Sequence, residues 1–295
     1  MVFCFSILYY TDMKKALLIG IDYTSIPEVA LKGCVDDVIN IRNMLIDAYN
    51  YDPDNIIMLR DDPAADPLHL PTGENILTNI RMIVEESSQL DEIWIQYSGH
   101  GSQIPDPGSI KHQGIDDIII PIDFKMYGPI RDIQLFMFIK EIKCRALIIF
   151  DCCHSGTICN LQWAFEYLSP TQYTRKMVDE VVIENPNIFM FSGCKDDQES
   201  SDTYNILLKQ SVGAFTNAFI ECLRKYHHTI DIMLLYREIC RYLEIRGYTQ
   251  RPVFSSSSMN PSYELHREND AVIATDTIFH HITEILKTIP FDLVE

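Results

Sequence analysis

"CRALIIFDCCHSG", residues 144–156, decides how this chain folds. Its apolar run from Ala146 to Phe150 is short, unbroken and shows no alternation. A strand buried on both faces has that appearance, and such strands belong to parallel sheets covered by helices. The run ends on an acid, two thiols, an imidazole, a serine and a glycine. Functional groups of an open parallel sheet collect beyond the carboxyl ends of its strands, so this end is where chemistry is expected.

The surrounding sequence supports that reading. "KKALLIGIDY" (14–23), "DNIIMLRDD" (54–62), "DEIWIQYSGHGS" (91–102), "PNIFMFSGC" (186–194) and "QRPVFSSSS" (250–258) read as further strands, the third running into a loop. Between them, "CVDDVINIRNMLIDAYNY" (34–51), "PTGENILTNIRMIVEES" (71–87), "IRDIQLFMFIKEI" (130–142), "GAFTNAFIECLRKY" (213–226) and "IDIMLLYREICRYLEIRGY" (230–248) read as helices. Pro71 and Thr72 suit the start of the second helix. "DDIIIPIDF" (116–124) is expected at or near a sheet edge, because Pro121 cannot donate a ladder hydrogen bond. Strands alternating with helices define an α/β protein with a mainly parallel central sheet and helices on both faces. Residues 156–185 lack periodicity and read as a long exposed connection within one domain, while residues 1–13 read as an extension outside the fold.

Bulk properties narrow the function. The 295 residues carry 24 Lys plus Arg against 42 Asp plus Glu, a formal charge of -18. Nucleic acid and anionic membrane surfaces need a basic face, so neither is the expected partner. The opening "MVFCFSILYY" is too short to span a bilayer and lacks the basic region and cleavage site of a signal peptide. Nine cysteines, none in a CxxC spacing, fit a reducing, cytoplasmic location rather than a disulfide framework or zinc site.

Two strand ends carry groups suited to acyl transfer. One places His100 between two glycines; the other carries Cys152 and Cys153. A thiolate attacks a carbonyl, an imidazole handles the protons, and backbone N–H groups stabilise the oxyanion. Gly101 has no Cβ to keep its main chain from a substrate. These residue types are also compatible with an inert buried cysteine and an ordinary turn histidine.

"YSGHGSQ", "FDCCHSGT", "FSGCKDDQES", "GAFTNAF" and "QRPVFSSS", preceded by "ALLIGIDY" and "LKGCVDDV", occur in an order that resembles the metacaspases, caspase-like cysteine peptidases. The likeness covers roughly residues 14–258. It implies a caspase-like three-layer sandwich, with a large-subunit-like part (14–155), a connecting loop (156–185) and a small-subunit-like part (186–295). It also implies endopeptidase cleavage after Arg or Lys. Carried onto this sequence, the family pattern makes Cys153 the nucleophile, His100 its base, and Gly101 with Cys153 the oxyanion hole. Cys34, Asp37, Ser98 and Asp151 line the substrate pocket by the same resemblance. Alternation along an extended segment agrees, since Asp151 and Cys153 would share one face while Cys152 and His154 point to the other. A zinc site from consecutive Cys152, Cys153 and His154 is implausible, because adjacent residues rarely converge on one tetrahedral ion.

The resemblance has gaps. Many relatives bind calcium through clustered aspartates, but "GPIRDIQL" (128–135) offers Arg131-Asp132 where two acids are expected, and Asn160 stands where an acid would help. An arginine opposes a divalent cation, so no cofactor is expected to be required and calcium activation is doubted, despite nearby Asp106, Asp116, Asp117 and Asp123. No prodomain is expected, and a monomer acting on peptides is. Arg175 and Lys176 display the enzyme's own preferred residues in the connection, which suggests self-cleavage there. Two other classes stay open: a catalytically silent caspase-like binding protein, and a redox sensor using the strained Cys152–Cys153 pair.

Overall fold

A computed structural model of the protein describes residues 12–106, 115–152, 159, 161–193, 202–205 and 210–268. The first strand, β1 (Lys14–Gly20), sends Ala16 and Leu18 into one apolar core and Leu17 and Ile19 into another. Helix α1 (Cys34–Tyr49) leads to β2 (Ile56–Arg60), and α2 (Gly73–Glu86) leads to β3 (Glu92–Ser98). Then come β4 (Gly101–Pro105), β5 (Ile115–Ile119), the short α3 (Phe124–Tyr127), β6 (Ile130–Arg131), α4 (Asp132–Ile139) and β7 (Arg145–Asp151). The second half holds β8 (Trp163–Ser169), β9 (Gln172–Met177), β10 (Ile188–Ser192), β11 (Asp202–Asn205), β12 (Gln210–Gly213) and α5 (Ala214–Lys225). It closes with β13 (Ile230–Asp231), α6 (Ile232–Ile245), β14 (Val253–Ser256) and β15 (Glu264–Leu265).

Eight strands form one sheet in the order β2-β1-β3-β7-β10-β14-β8-β9. The strands from β2 to β10 run parallel, and β14, β8 and β9 each pair antiparallel with the strand before. The chain between β1 and β2, between β2 and β3, and between β3 and β7 carries helices, which cover both faces, whereas the chain between the parallel neighbours β7 and β10 carries β8 and β9. Helices α1, α5 and α6 bury Val38, Ile41, Phe215, Phe219, Leu235 and Ile239 against one face. Helices α2 and α4 bury Ile76, Ile80, Leu135 and Ile139 against the other. The three-layer α/β architecture read from the sequence is the one present.

Two sequence expectations need correction. Residues 163–177 are not an unstructured connection but the β8–β9 hairpin, which completes the sheet. Every residue of β9 is exposed, so no apolar alternation marks it as a strand. The segment after His100 is also not a loop. It forms β4, which joins β5 and β6 in a separate three-stranded antiparallel sheet. Strand β5 stops at Ile119, before Pro121.

Helix α1 starts where the site lies. Its first N–H groups have no partner within the helix, and the Asp22 carboxylate accepts from two of them, Cys34 N at 2.9 Å and Val35 N at 3.4 Å. That contact anchors the turn carrying Cys34 and Asp37 beside the end of β1.

Candidate active site

The ends of β1, β3 and β7 lie flush. Gly20 pairs with Ser98, and Ser98 with Asp151, so these three residues form one row at the carboxyl edge. Asp151 follows Leu147 and Ile149 in the alternation of β7 and faces the α1 and α5 side. Cys152 belongs instead to the opposite core with Ile148 and Phe150, and is 0% exposed. The seclusion of Cys152 within that core agrees with the alternation argument. Cys153 and His154 lie outside the described residues, as does Asn160.

Asp37 and Asp151 meet on that face. Both are buried, as are Cys34 and Ser98. The Gly213 N–H donates to Asp37 Oδ1 at 2.9 Å. Thr216 donates to Asp151 Oδ2 twice, from its hydroxyl at 2.8 Å and from its backbone N–H at 3.2 Å. A Cβ on Gly213 would fall 2.7 Å from Asp151 Oδ2 and 2.8 Å from Asp37 Oδ2, so glycine is required for both carboxylates to fit. Two acids this close, away from bulk water, repel one another and favour a cation between them. Guanidinium and ammonium groups both meet that demand, and guanidinium adds planar, bidentate hydrogen bonding.

His100 lies two residues beyond β3. The turn is tied to β7 by Gly99 N–H, which donates to the Asp151 carbonyl at 3.4 Å. The imidazole Nε2 sits 2.8 Å from the Val29 carbonyl oxygen. A carbonyl only accepts, so Nε2 is the donor in this contact and Nδ1 is the ring nitrogen not used in it. Gly101, the first residue of β4, pairs with Ile119.

The acids named for calcium are otherwise engaged. Arg131 Nε donates to Asp116 Oδ2 at 2.7 Å, and its Nη2 contacts both Asp116 and Asp106. Asp117 accepts from Gln103 at 2.9 Å, Asp123 from the Gly73 N–H at 2.8 Å, and Asp132 from the Ile133 N–H at 2.6 Å. Among the described residues no group of three or more His, Cys, Asp or Glu is arranged to hold a metal ion. A guanidinium already neutralises the carboxylates a calcium ion would need, so this donor set does not fit calcium.

Sequence reasoning missed Thr216, Gly213 and Val29. Thr216 and Gly213 stand within the "GAFTNAF" motif, yet nothing in it indicates that a hydroxyl and a missing Cβ serve a carboxylate 65 residues away. The Val29 contribution is a backbone carbonyl, which side-chain identity does not report.

Parallel strands ending together, a histidine turn on one and an acid on its neighbour define a caspase-type α/β fold. Solved structures agree. Caspase-1 from Spodoptera frugiperda superposes with a TM-score of 0.55 at 12% identity, covering 88% of this chain and 92% of that one. A protein from Geobacter sulfurreducens gives a TM-score of 0.57 at 19% identity, covering 83% and 94%. Residues 14–162 match the family model described as metacaspase, peptidase C14 domain. Metacaspase-1 of Cryptococcus neoformans is 30% identical over 84% of this chain, and metacaspase-1B of Neosartorya fischeri is also 30% identical over 84%. The chain belongs to the metacaspase family of cysteine peptidases. It spans 63% of the length of the Cryptococcus relative and 70% of the Neosartorya one. Among the described residues no helix is long and apolar enough to cross a membrane.

Proposed function

We propose that this protein is an endopeptidase that cleaves after Arg or Lys, with Cys153 as nucleophile and His100 as general base. The observation that carries the specificity is the convergence of Asp37 and Asp151 beside Gly213. A substrate's cationic side chain enters between the two carboxylates and relieves their repulsion, which draws the following carbonyl towards the strand ends. Nδ1 of His100 takes the proton of the Cys153 thiol, and the thiolate attacks the scissile carbonyl carbon. The oxyanion is held by the N–H groups of Gly101 and Cys153. The imidazolium then gives its proton to the leaving amine, and a water activated by the same imidazole releases the acyl group. Ser98 and Cys34 complete the pocket wall.

The six described cysteines are buried thiols, which supports a reducing, cytoplasmic setting. The enzyme acts on peptides as a monomer and processes itself at Arg175-Lys176. Strand β9 is the outermost strand of the sheet, so it can leave β8 without opening the parallel core. Peptide reporters with Arg, Lys or Asp before the scissile bond test the proposal. Cleavage confined to Arg and Lys supports it, and preference for Asp or none contradicts it.

A further inference from the structure

The backbone on which His100 rides is gripped by two buried phenols from different strand ends. Tyr23, beyond β1, accepts from the His100 N–H at 3.0 Å and donates to the Ile120 carbonyl at 2.6 Å. Tyr97, on β3, donates to the His100 carbonyl at 2.7 Å and accepts from the Ile120 N–H at 3.2 Å. The hydroxyls lie 3.2 Å apart. One proton arrangement therefore satisfies all four contacts, with each phenol donating once and accepting once.

Three further features show how closely this arrangement is fitted. A Cβ on Gly99 would fall 2.7 Å from the Tyr97 hydroxyl oxygen and 3.2 Å from that of Tyr23, so the turn between the tyrosines and His100 accepts only glycine. Tyr23 holds φ at 52°, a left-handed conformation that a bulky residue adopts only when its surroundings impose it. Its ring also lies against the imidazole, with centroids 4.8 Å apart. Burial raises the pKa of both phenols well above the usual tyrosine range, so both remain donors at working pH.

We infer that Tyr23 and Tyr97 are positioning residues for His100, fixing the turn and with it the orientation of the imidazole. This rests on the proposed role of His100 as the base. Ile120, one residue beyond β5, is held by the same hydroxyls, so the small antiparallel sheet braces the turn from the far side. The two tyrosines differ in consequence. Without the Tyr23 hydroxyl, the His100 N–H loses the acceptor it has among the described residues. Without the Tyr97 hydroxyl, the His100 carbonyl still accepts from Ile120 N–H at 3.2 Å.

The test compares Tyr23→Phe and Tyr97→Phe in the full chain, since each substitution removes one oxygen and keeps the ring. Tyr23→Phe is expected to lower kcat by ~10- to 100-fold with KM within about twofold, and Tyr97→Phe by roughly a tenth of that factor. Alkylation of Cys153 by iodoacetamide, followed by mass spectrometry across pH, reads the same positioning without a peptide substrate. Its midpoint should move to higher pH in Tyr23→Phe, because a displaced imidazole stabilises the thiolate less. Unchanged kcat and alkylation in Tyr23→Phe, or a larger loss in Tyr97→Phe, overturns the inference. So does unfolding of both variants at assay temperature, which makes the pair purely structural. If the parent protein cleaves no Arg or Lys reporter while the alkylation midpoint still shifts, the clamp stands and the peptidase reading falls.

Discussion

Replacing Asp37 with asparagine removes one negative charge from the pocket and almost nothing else. The new side chain keeps an oxygen to accept from Gly213 N–H, now at 2.9 Å, and the amide matches the carboxylate in size. What changes is the pull on a substrate cation. Truncating one partner of a buried, hydrogen-bonded charge pair costs about 2–5 kcal/mol, or roughly 30- to several-thousand-fold in kcat/KM for Arg and Lys peptides. The free protein should respond in the opposite direction. Both Asp37 and Asp151 oxygens fall within 2.8 Å of the point a Cβ on Gly213 would occupy, so the two carboxyl groups lie close together. Removing one like charge from so close a pair should leave the thermal midpoint of Asp37→Asn equal to or above that of the parent. Steady-state kinetics on matched Arg, Lys and neutral peptides, with calorimetry alongside, reads both quantities. Wild-type Arg/Lys preference in this variant would place the specificity pocket elsewhere. A lowered midpoint with unchanged kinetics would make Asp37 a structural acid.

Asp22 gives a pH signature. Burial, reinforced by the charges of Asp61 and Asp36, raises its carboxyl to about 6, against the backbone hydrogen bonds from Val35 and Cys34. The native state therefore holds this proton more tightly than the unfolded chain, so its contribution is full below the unfolded value and is lost as pH rises through about 6. The midpoint of the parent minus that of Asp22→Asn should fall between pH 4 and pH 7, and a flat difference refutes the assignment. Because Arg131 already neutralises Asp116 and Asp106, calcium or a chelator should change peptide turnover by less than about twofold, and strong calcium stimulation contradicts that. Self-cleavage at Arg175-Lys176 must first detach β9 from β8 and free Arg175 from Met259 O and Asn260 Oδ1. Mass spectrometry should find fragments in the parent that are absent from Cys153→Ala; an intact parent chain, or identical fragments in both, excludes it.

The parts visible in the sequence are those whose physics is local. Strands β1, β7 and β10 announce themselves as unbroken apolar runs, and β3 as one interrupted only by Gln96, because helices cover both their faces. Helices α1 and α2 show their periodicity, and Thr72 caps α2 by accepting from Asn75 N–H at 3.2 Å. Strand β9 is invisible because both its faces meet water, and β6 because two residues carry no pattern. At the site, the motifs mark His100, Asp37 and Asp151. The residues that orient them act through backbone atoms or across long sequence separations. Val29 offers a carbonyl, Thr216 reaches a carboxylate on another element, and the left-handed turn at Tyr23 leaves no trace in residue type. Cys152 is a different case, since its place in the core follows from alternation alone once Asp151 faces the pocket.

Cleavage of matched Arg, Lys and Asp reporters by the parent, Cys153→Ala and Cys152→Ala proteins tests the central claim most directly. The account predicts turnover of the Arg and Lys reporters alone, abolished in Cys153→Ala. Most of it should survive in Cys152→Ala, whose thiol is sealed in the core. Comparable losses in both variants, loss confined to Cys152→Ala, or preferential turnover of the Asp reporter would contradict it.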